Sequence, residues 1–502
     1  MRFSKLGSIP PSLNWDEVAI GWNAKTIFHT RRDEYGTRLP LSFKSFGDYK
    51  APVYIYLTAP IVGLLGMNEV SVRLLSATVG IISVGIIYFL VQVIFGNTKD
   101  LFIRNKNLLA LFSSLLLAIT PWHLFLSRPA IEANLALFFI LLGIWLFLLG
   151  IRRRGFWLIP ALLALSLSLY SYHSPKIFVP IFVLGLLVIF RKQLFDKKRV
   201  YWFLGAVVFG IMTLLPLIWV TLFSKSALRF QGTSIFYNQE GERRPINLNL
   251  ASQLGKNYLI HYSPQFLFTG RETNLRVQMK QVGPLLLVEA PFLILGLYLL
   301  IKNRRQQWAQ FLLWWLLIGP LAAVVGKEIP HPIRALNLLP AVTIIVALGG
   351  VSLWQWLERQ SREKSLIGKL LLIVVFLTNG LYFGYRYFVV YPIYAAPDWQ
   401  YGYQQIATIA RHYEEEVDKV IITGHYGQPH IFILFYQDRD PQEVFWGGMI
   451  KYLYRDINWE ADKQLENHLL IGSPKEIPED AENIVERVNF SNGETVFLIV
   501  KT

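Results

Sequence analysis

Long apolar runs alternate with short polar breaks along most of this 502-residue chain, and the breaks are of two kinds. One kind holds clusters of Lys and Arg and little else: Lys99, Arg104 and Lys106; Arg152, Arg153 and Arg154; 191–199; Lys302, Arg304 and Arg305; and Arg359, Arg362 and Lys364. The other holds carboxylates, histidines and single cations: Asp16 and Glu17; Asp48 and Lys50; Arg128 and Glu132; His173 and Lys176; Arg271 and Arg276; His331 and Arg334. Apolar runs of about 18 residues or more read as membrane helices. The pattern predicts them over 71–95, 107–126, 133–151, 156–171, 176–190, 201–223, 284–301, 308–325, 336–357 and 367–390, with 156–171 and 176–190 the shortest. Pro121, Pro216, Pro320 and Pro340 fall in or near these spans, which membrane helices tolerate.

The alternation sets an orientation. Lys/Arg-rich loops stay on the cytoplasmic side, so the breaks near 121–132, 172–176, 224–283 and 326–335 are expected outside, together with residues 1–70 and the C-terminal tail. The stretch 53–65 is too short to span and suits an interfacial or re-entrant helix. An outside N-terminus with no preceding helix points to a first helix missing from upstream of Met1.

After the last span the pattern changes. Residues 398–416 read as a helix, 420–422 and 469–471 as buried strands, and 484–502 as a hairpin turning at Ser491, Asn492 and Gly493. The expected fold class is therefore mostly α: a polytopic transmembrane bundle with a small C-terminal α/β domain outside the membrane. Its parts are a first outside loop (1–70), a membrane core (71–394) and the soluble domain (395–502).

Composition supports this. The chain is 53% hydrophobic and only 17% charged. Residues 398–502 hold 18 acids against nine Lys/Arg, so the net charge of +15 conceals a tail of −9 on a remainder of +24. Bases gathered at helix ends argue against nucleic acid as a partner and for membrane lipids or a lipid phosphate. With no cysteine, disulfides, Cys-ligated zinc and thiol catalysis are excluded.

The mixed breaks carry the candidate chemistry. Asp16 and Glu17 open a predicted helix (18–30), where an acid pair serves the helix dipole or offers a general base. Lys50 enters the short helix, either to snorkel or to bind phosphate as a point charge. Arg128 and Glu132, four apart, suit a structural ion pair on a helix. His173 and His331 each precede a cation by three residues, and each alone reads first as a hydrogen-bonded structural histidine. Together, the outside face offers carboxylates to deprotonate a hydroxyl and cations to hold an anionic leaving group.

The acid pair, then Asp48-Tyr49-Lys50-Ala51-Pro52 before a short helix, then Arg128-x-x-x-Glu132-Ala133-Asn134 at a later span, resembles the GT-C glycosyltransferases. More narrowly it is similar to family 39 and its relatives, the protein O-mannosyltransferases and the bacterial aminoarabinose transferases that modify lipid A. The resemblance covers roughly 8–390; Phe266-Leu267-Phe268 with Asn274 and Arg276, before Gly283-Pro284, is similar to the large loop of bacterial members. It implies transfer of a sugar from a polyprenyl-phosphate donor to a lipid, glycan or protein acceptor outside the cytoplasmic membrane. It implies Asp16 as general base with Glu17 in reserve, and Lys50 on the donor phosphate with Arg334 and Arg128. Glu132 is implied as a support for acceptor or sugar, with His173 and Lys176 weaker matches; Asp48 and His331 are expected to support acceptor or sugar beside them. A single displacement at the anomeric carbon is expected to invert configuration. No cofactor is implied and no metal-ligand constellation stands out; divalent metal use is left open.

Two other functions fit a bundle of this size: a transporter or flippase of lipid-linked sugars, and a non-catalytic envelope assembly protein. A transporter places ionisable residues near the bilayer midplane. Here they gather at helix ends, which favours an enzyme.

Overall fold

The computed structural model describes residues 1–96, 105–223, 228–270 and 274–502. Lys99, Arg104 and Arg271 lie outside the described residues.

The chain opens with helix α1 (Trp15–Thr30), a hairpin of β1 (Phe43–Ser45) and β2 (Asp48–Lys50), and the short helix α2 (Pro52–Leu65), which packs against α1. The helical bundle begins with α3 (Glu69–Ile94), α4 (Lys106–Ile119), α5 (Pro121–Leu126), α6 (Glu132–Arg152), α7 (Leu158–Ser171) and α8 (Pro175–Ile189). After Arg191–Leu194 it continues through Val200–Phe223, Ala290–Lys302, Gln307–Ile318, Leu339–Leu357 and Arg362–Tyr385. Six helical stretches among the described residues are long and apolar enough to cross a membrane, and shorter apolar helices run beside them. The chain is a multi-pass membrane protein. Because successive bundle helices run back and forth, the basic breaks at 152–157, 190–199, 303–306 and 358–361 gather at one end and the mixed breaks at the other.

Two predicted spans are broken where proline removes a backbone donor. The run 107–126 divides at Thr120, and Pro121 starts α5. The side chain of Arg2 enters this break and donates to the freed carbonyls of Leu117 and Ala118, each at 3.2 Å, and to Ser127 Oγ at 2.9 Å. Buried carbonyls released by a break need such partners. The run 308–325 divides at Gly319 and Pro320. The helix expected from 284 begins at Ala290, after a single 3-10 turn over Leu287–Glu289. Residues 228–283 hold helices at Leu228–Thr233 and Leu248–Ile260.

The C-terminal part is a five-stranded sheet with helices. Its strands β3 (Lys419–Ile422), β4 (Tyr452–Tyr454), β5 (His468–Gly472), β6 (Ile484–Asn489) and β7 (Thr495–Lys501) lie in the order β4-β3-β5-β7-β6. β3 runs parallel to β4 and β5, while β7 is antiparallel to β5 and β6. The predicted helix 398–416 is confined to Tyr403–Tyr413, because Gly402 adopts a left-handed conformation (φ 105°) ahead of it. The helix Pro429–Tyr436 packs on α1, joining this domain to the first loop.

Candidate active site

The acid pair is placed by a helix cap. Asn14 precedes α1, and its Oδ1 accepts the N–H groups of Asp16 (2.8 Å) and Glu17 (3.1 Å), while Glu17 Oε2 accepts the Asn14 N–H at 3.3 Å. This capping box fixes the first turn, and successive helix residues point about 100° apart. Glu17 turns into the bundle and is 1% exposed. Its carboxylate accepts from Arg73 Nε (2.9 Å) and Nη2 (3.1 Å) and from the Ala130 N–H (2.8 Å). Asp16 turns outward and forms an ion pair with Lys50, its side chain 50% exposed against 7% for the lysine. Lys50 arrives there from the end of β2, paired with Phe43 across the hairpin.

Around this pair lies a cavity of about 430 Å³. It is lined by Trp15, Asp16, Asp48 and Lys50 from the first loop, Glu132 from the start of α6, Asn274 and Arg276 from the large loop, and His331 and Arg334 from the break before Leu339–Leu357. The cavity thus holds carboxylates and cations from four separate parts of the chain. Arg276 lies over the Trp15 ring, 4.7 Å from its centroid. One terminal nitrogen of Arg334, Nη1, is buried with no hydrogen-bond partner among the described residues. That nitrogen is packed against Gly326, while Arg334 as a residue lines the cavity and brings a cation to its wall.

His331 is held on both ring nitrogens. Nδ1 accepts the Arg334 N–H at 3.4 Å, and Nε2 lies 3.4 Å from Glu328 Oε2. That hydrogen bond from His331 holds the Glu328 carboxyl below the usual range, against the opposing effect of burial. The His331 N–H donates to His261 Nε2 at 3.3 Å, and burial lowers the His261 pKa to about 4. Among the described residues no three His, Asp or Glu side chains are grouped as metal ligands.

The structure brings Asp16, Glu17, Asp48, Lys50, Glu132, His331 and Arg334 to one cavity. His173 and Lys176 line a second cavity of about 360 Å³ that shares Tyr172 and Arg334 with the first. The His173 Nε2 lies 3.3 Å from the Tyr49 carbonyl.

Two expectations are corrected. Glu17 is no reserve base, because its oxygens are already engaged by Arg73, Ala130 and Asn14. Arg128 is not a phosphate ligand. It lies in the turn before α6 rather than on a helix, is fully buried, and donates to the carbonyls of Met1, Arg2, Ser4, Lys5 and Ile9 and to the Tyr387 hydroxyl. Its charge holds the N-terminal segment against the bundle.

Sequence reasoning missed Arg73, the buried partner of Glu17. A lone arginine near the start of an apolar run was the available signal. It also missed His261 and Gln428, which have no local motif. Gln428 comes from the C-terminal domain and lines the cavity.

Residues 49–219 match the family model of dolichyl-phosphate-mannose-protein mannosyltransferases. No curated protein sequence matches the chain. Among solved structures, ArnT from Cupriavidus metallidurans bound to undecaprenyl phosphate is 12% identical with a TM-score of 0.57, over 99% of this chain and 95% of that one. The apo state of the same enzyme is 13% identical with a TM-score of 0.52, over 98% and 93%. An oligosaccharyltransferase from Archaeoglobus fulgidus is 14% identical with a TM-score of 0.48, over 92% of this chain and 65% of that one. The likeness to ArnT is one of fold, along the whole chain.

Proposed function

We propose that this chain, a multi-pass membrane protein of the GT-C fold, is a glycosyltransferase that moves a sugar from a polyprenyl-phosphate donor to an acceptor hydroxyl. The Asp16–Lys50 ion pair in the cavity wall carries this reading. A carboxylate and an ammonium in contact supply the two functions the reaction needs at adjacent points. The acceptor oxygen attacks the anomeric carbon, and its proton passes to Asp16. The bond from that carbon to the phosphate oxygen breaks, its electron pair staying on the phosphate. A phosphate leaves without needing a proton, so no general acid is required. Lys50 has three N–H donors and can hold Asp16 and a phosphate oxygen together. Arg334 and Arg276 add charge on the far walls.

One displacement inverts the anomeric configuration. Asp48 and Glu132 face the same cavity and are assigned to sugar or acceptor hydroxyls. In this reading the cavity opens on the outer side of the cell membrane; what supports it is the clustering of Lys and Arg in the breaks at the other end of the bundle. What supports the donor class is the family match over 49–219, which takes in Lys50 and Glu132, and the undecaprenyl phosphate bound by ArnT.

The test is transfer itself. Membranes holding the chain are incubated with radiolabelled polyprenyl-phosphate hexoses, and the label is traced into lipid, glycan and protein fractions. Transfer lost in Asp16→Asn at equal expression is the expected result. Full transfer by Asp16→Asn would sink the assignment.

A further inference from the structure

The C-terminal domain reaches into the cavity. Its 424–430 loop is fixed to first-loop residues at several points. Gln400 accepts the Trp15 N–H on Oε1 (2.9 Å) and donates from Nε2 to the Tyr426 carbonyl (2.8 Å). Gly427 (φ +80°) lies so close to Trp15 that a Cβ would sit 2.9 Å from the ring. Tyr403 donates its hydroxyl to the Gly427 carbonyl at 3.2 Å, and the His430 ring meets Phe46 edge-on at 5.9 Å. Trp15 and Phe46 both line the cavity, so the loop is seated on its rim.

Gln428 is the residue this seating delivers. It stands before the helix Pro429–Tyr436 at φ 52° and ψ 44°, a left-handed conformation that L side chains seldom adopt and that a following proline does not favour. Glycine or asparagine meets that backbone demand better. A non-glycine residue held there is an observed outlier of the kind that concentrates at functional sites. Its side chain lines the cavity, and no protein group among the described residues pairs with its amide. An amide offers two N–H donors and a carbonyl acceptor, which matches a pair of neighbouring hydroxyls, each able to accept and donate.

We infer that the C-terminal domain completes the substrate cavity and that Gln428 is a specificity-determining residue that reads hydroxyls of the transferred sugar. This rests on the glycosyltransferase reading. It gives the domain a direct part in choosing the sugar, where a remote appendage would have none.

The experiment uses the full chain with polyprenyl-phosphate glucose, mannose and galactose, and compares wild type with Gln428→Gly and Gln428→Asn. Both replacements suit the left-handed backbone, so the fold is kept. Gln428→Gly should narrow the spread of kcat/KM among the three donors by about tenfold, the worth of one or two lost hydrogen bonds. KM for the preferred donor should rise while kcat stays within about twofold and Tm does not fall. Gln428→Asn should fall between the two. A binding arm runs beside it: the affinity advantage of the preferred sugar-bearing donor over bare polyprenyl phosphate should shrink about tenfold in Gln428→Gly.

An unchanged donor ranking, or a change confined to acceptor preference, would overturn the assignment to the donor sugar. A uniform fall in kcat with a lower Tm would mark the loop as structural only and overturn it too. If wild type transfers none of the three sugars yet the binding advantage exists and collapses in Gln428→Gly, the enzymatic reading fails and the sugar contact stands. If wild type shows no binding advantage, the sugar contact fails.

Discussion

Asp16 and Glu17 are neighbours in the chain and sit in opposite environments: Asp16 faces the cavity with Lys50, and Glu17 is sealed against Arg73. The same capping box sets both, so the first turn of α1 separates a carboxylate at the cavity from one buried in an ion pair. The two substitutions should therefore differ in kind. Asp16→Asn should lower turnover by about 10²- to 10⁴-fold, the usual worth of a general base, with expression and Tm close to wild type. Glu17→Gln should leave Arg73 buried without its counter-charge, at a cost of about 3–5 kcal/mol. Its expected signature is poor expression or a low Tm in detergent, measured by fluorescence-detected unfolding. Equal Tm in both variants, with activity lost in both, would contradict the division.

How much of this was legible in the sequence depends on range. Asp16, Lys50, Glu132 and Arg334 stand next to helix ends, and helix ends show in hydrophobic patterning. Arg128 read as i, i+4 to Glu132 on a helix, but the helix starts only at Glu132, and the arginine's partners are carbonyls more than a hundred residues away in sequence. Gln428 was invisible for the same reason. Its place in the cavity follows from the helix Pro429–Tyr436 packing on α1, a contact between opposite ends of the chain. The breaks at Pro121 and Pro320 were flagged as prolines in tolerant spans, but what tolerates the first break is Arg2, which no local window relates to residue 121.

Lys50 and Arg128 form the next contrast, since the sequence assigned both to the donor phosphate. Lys50→Ala should lower kcat/KM for the donor roughly 10- to 150-fold, the loss of one charge-assisted hydrogen bond of about 1.5–3 kcal/mol. Arg128→Met should leave the donor KM of the surviving protein unchanged. It strips a donor from five carbonyls, those of Arg2 and Ile9 in buried hydrogen bonds, and should cost about 3 kcal/mol or more in stability. Donor titrations and melting curves on the two variants separate these outcomes. A donor KM raised in Arg128→Met to the level of Lys50→Ala would restore Arg128 to the phosphate site.

Glu34 gives a pH dependence with a definite sign. It lies in the loop after α1 with Oε1 buried and without a partner among the described residues. Burial, ahead of an opposing hydrogen bond from Asn23, raises its pKa to about 8. The folded chain therefore keeps this proton where the unfolded chain, near pH 4.5, has released it. Stability from this group is complete below about pH 4.5 and is lost as pH rises towards 8. Glu34→Gln removes the loss, so its Tm should gain on wild type between pH 5 and pH 8, and the gap should stop widening above that. A gap that stays constant across the range would show that Glu34 does not titrate there.

The orientation of the bundle can be read directly because the chain has no cysteine. A single introduced cysteine is then the only thiol. Ser491 is exposed beside the turn between β6 and β7, and Lys198 is exposed in the basic break before Val200–Phe223. Arginine and lysine clusters resist transfer across the membrane, and four basic breaks lie at the same end among the described residues, so reversing the bundle would move all of them together. In spheroplasts, a membrane-impermeant maleimide should label Ser491→Cys at once and Lys198→Cys only after permeabilisation. The cavity shares its end of the bundle with the C-terminal domain through Gln428, so the same labelling assigns the side on which the sugar is transferred. Labelling of Lys198→Cys in intact spheroplasts would place the cavity in the cytoplasm and require a donor presented on the inner leaflet.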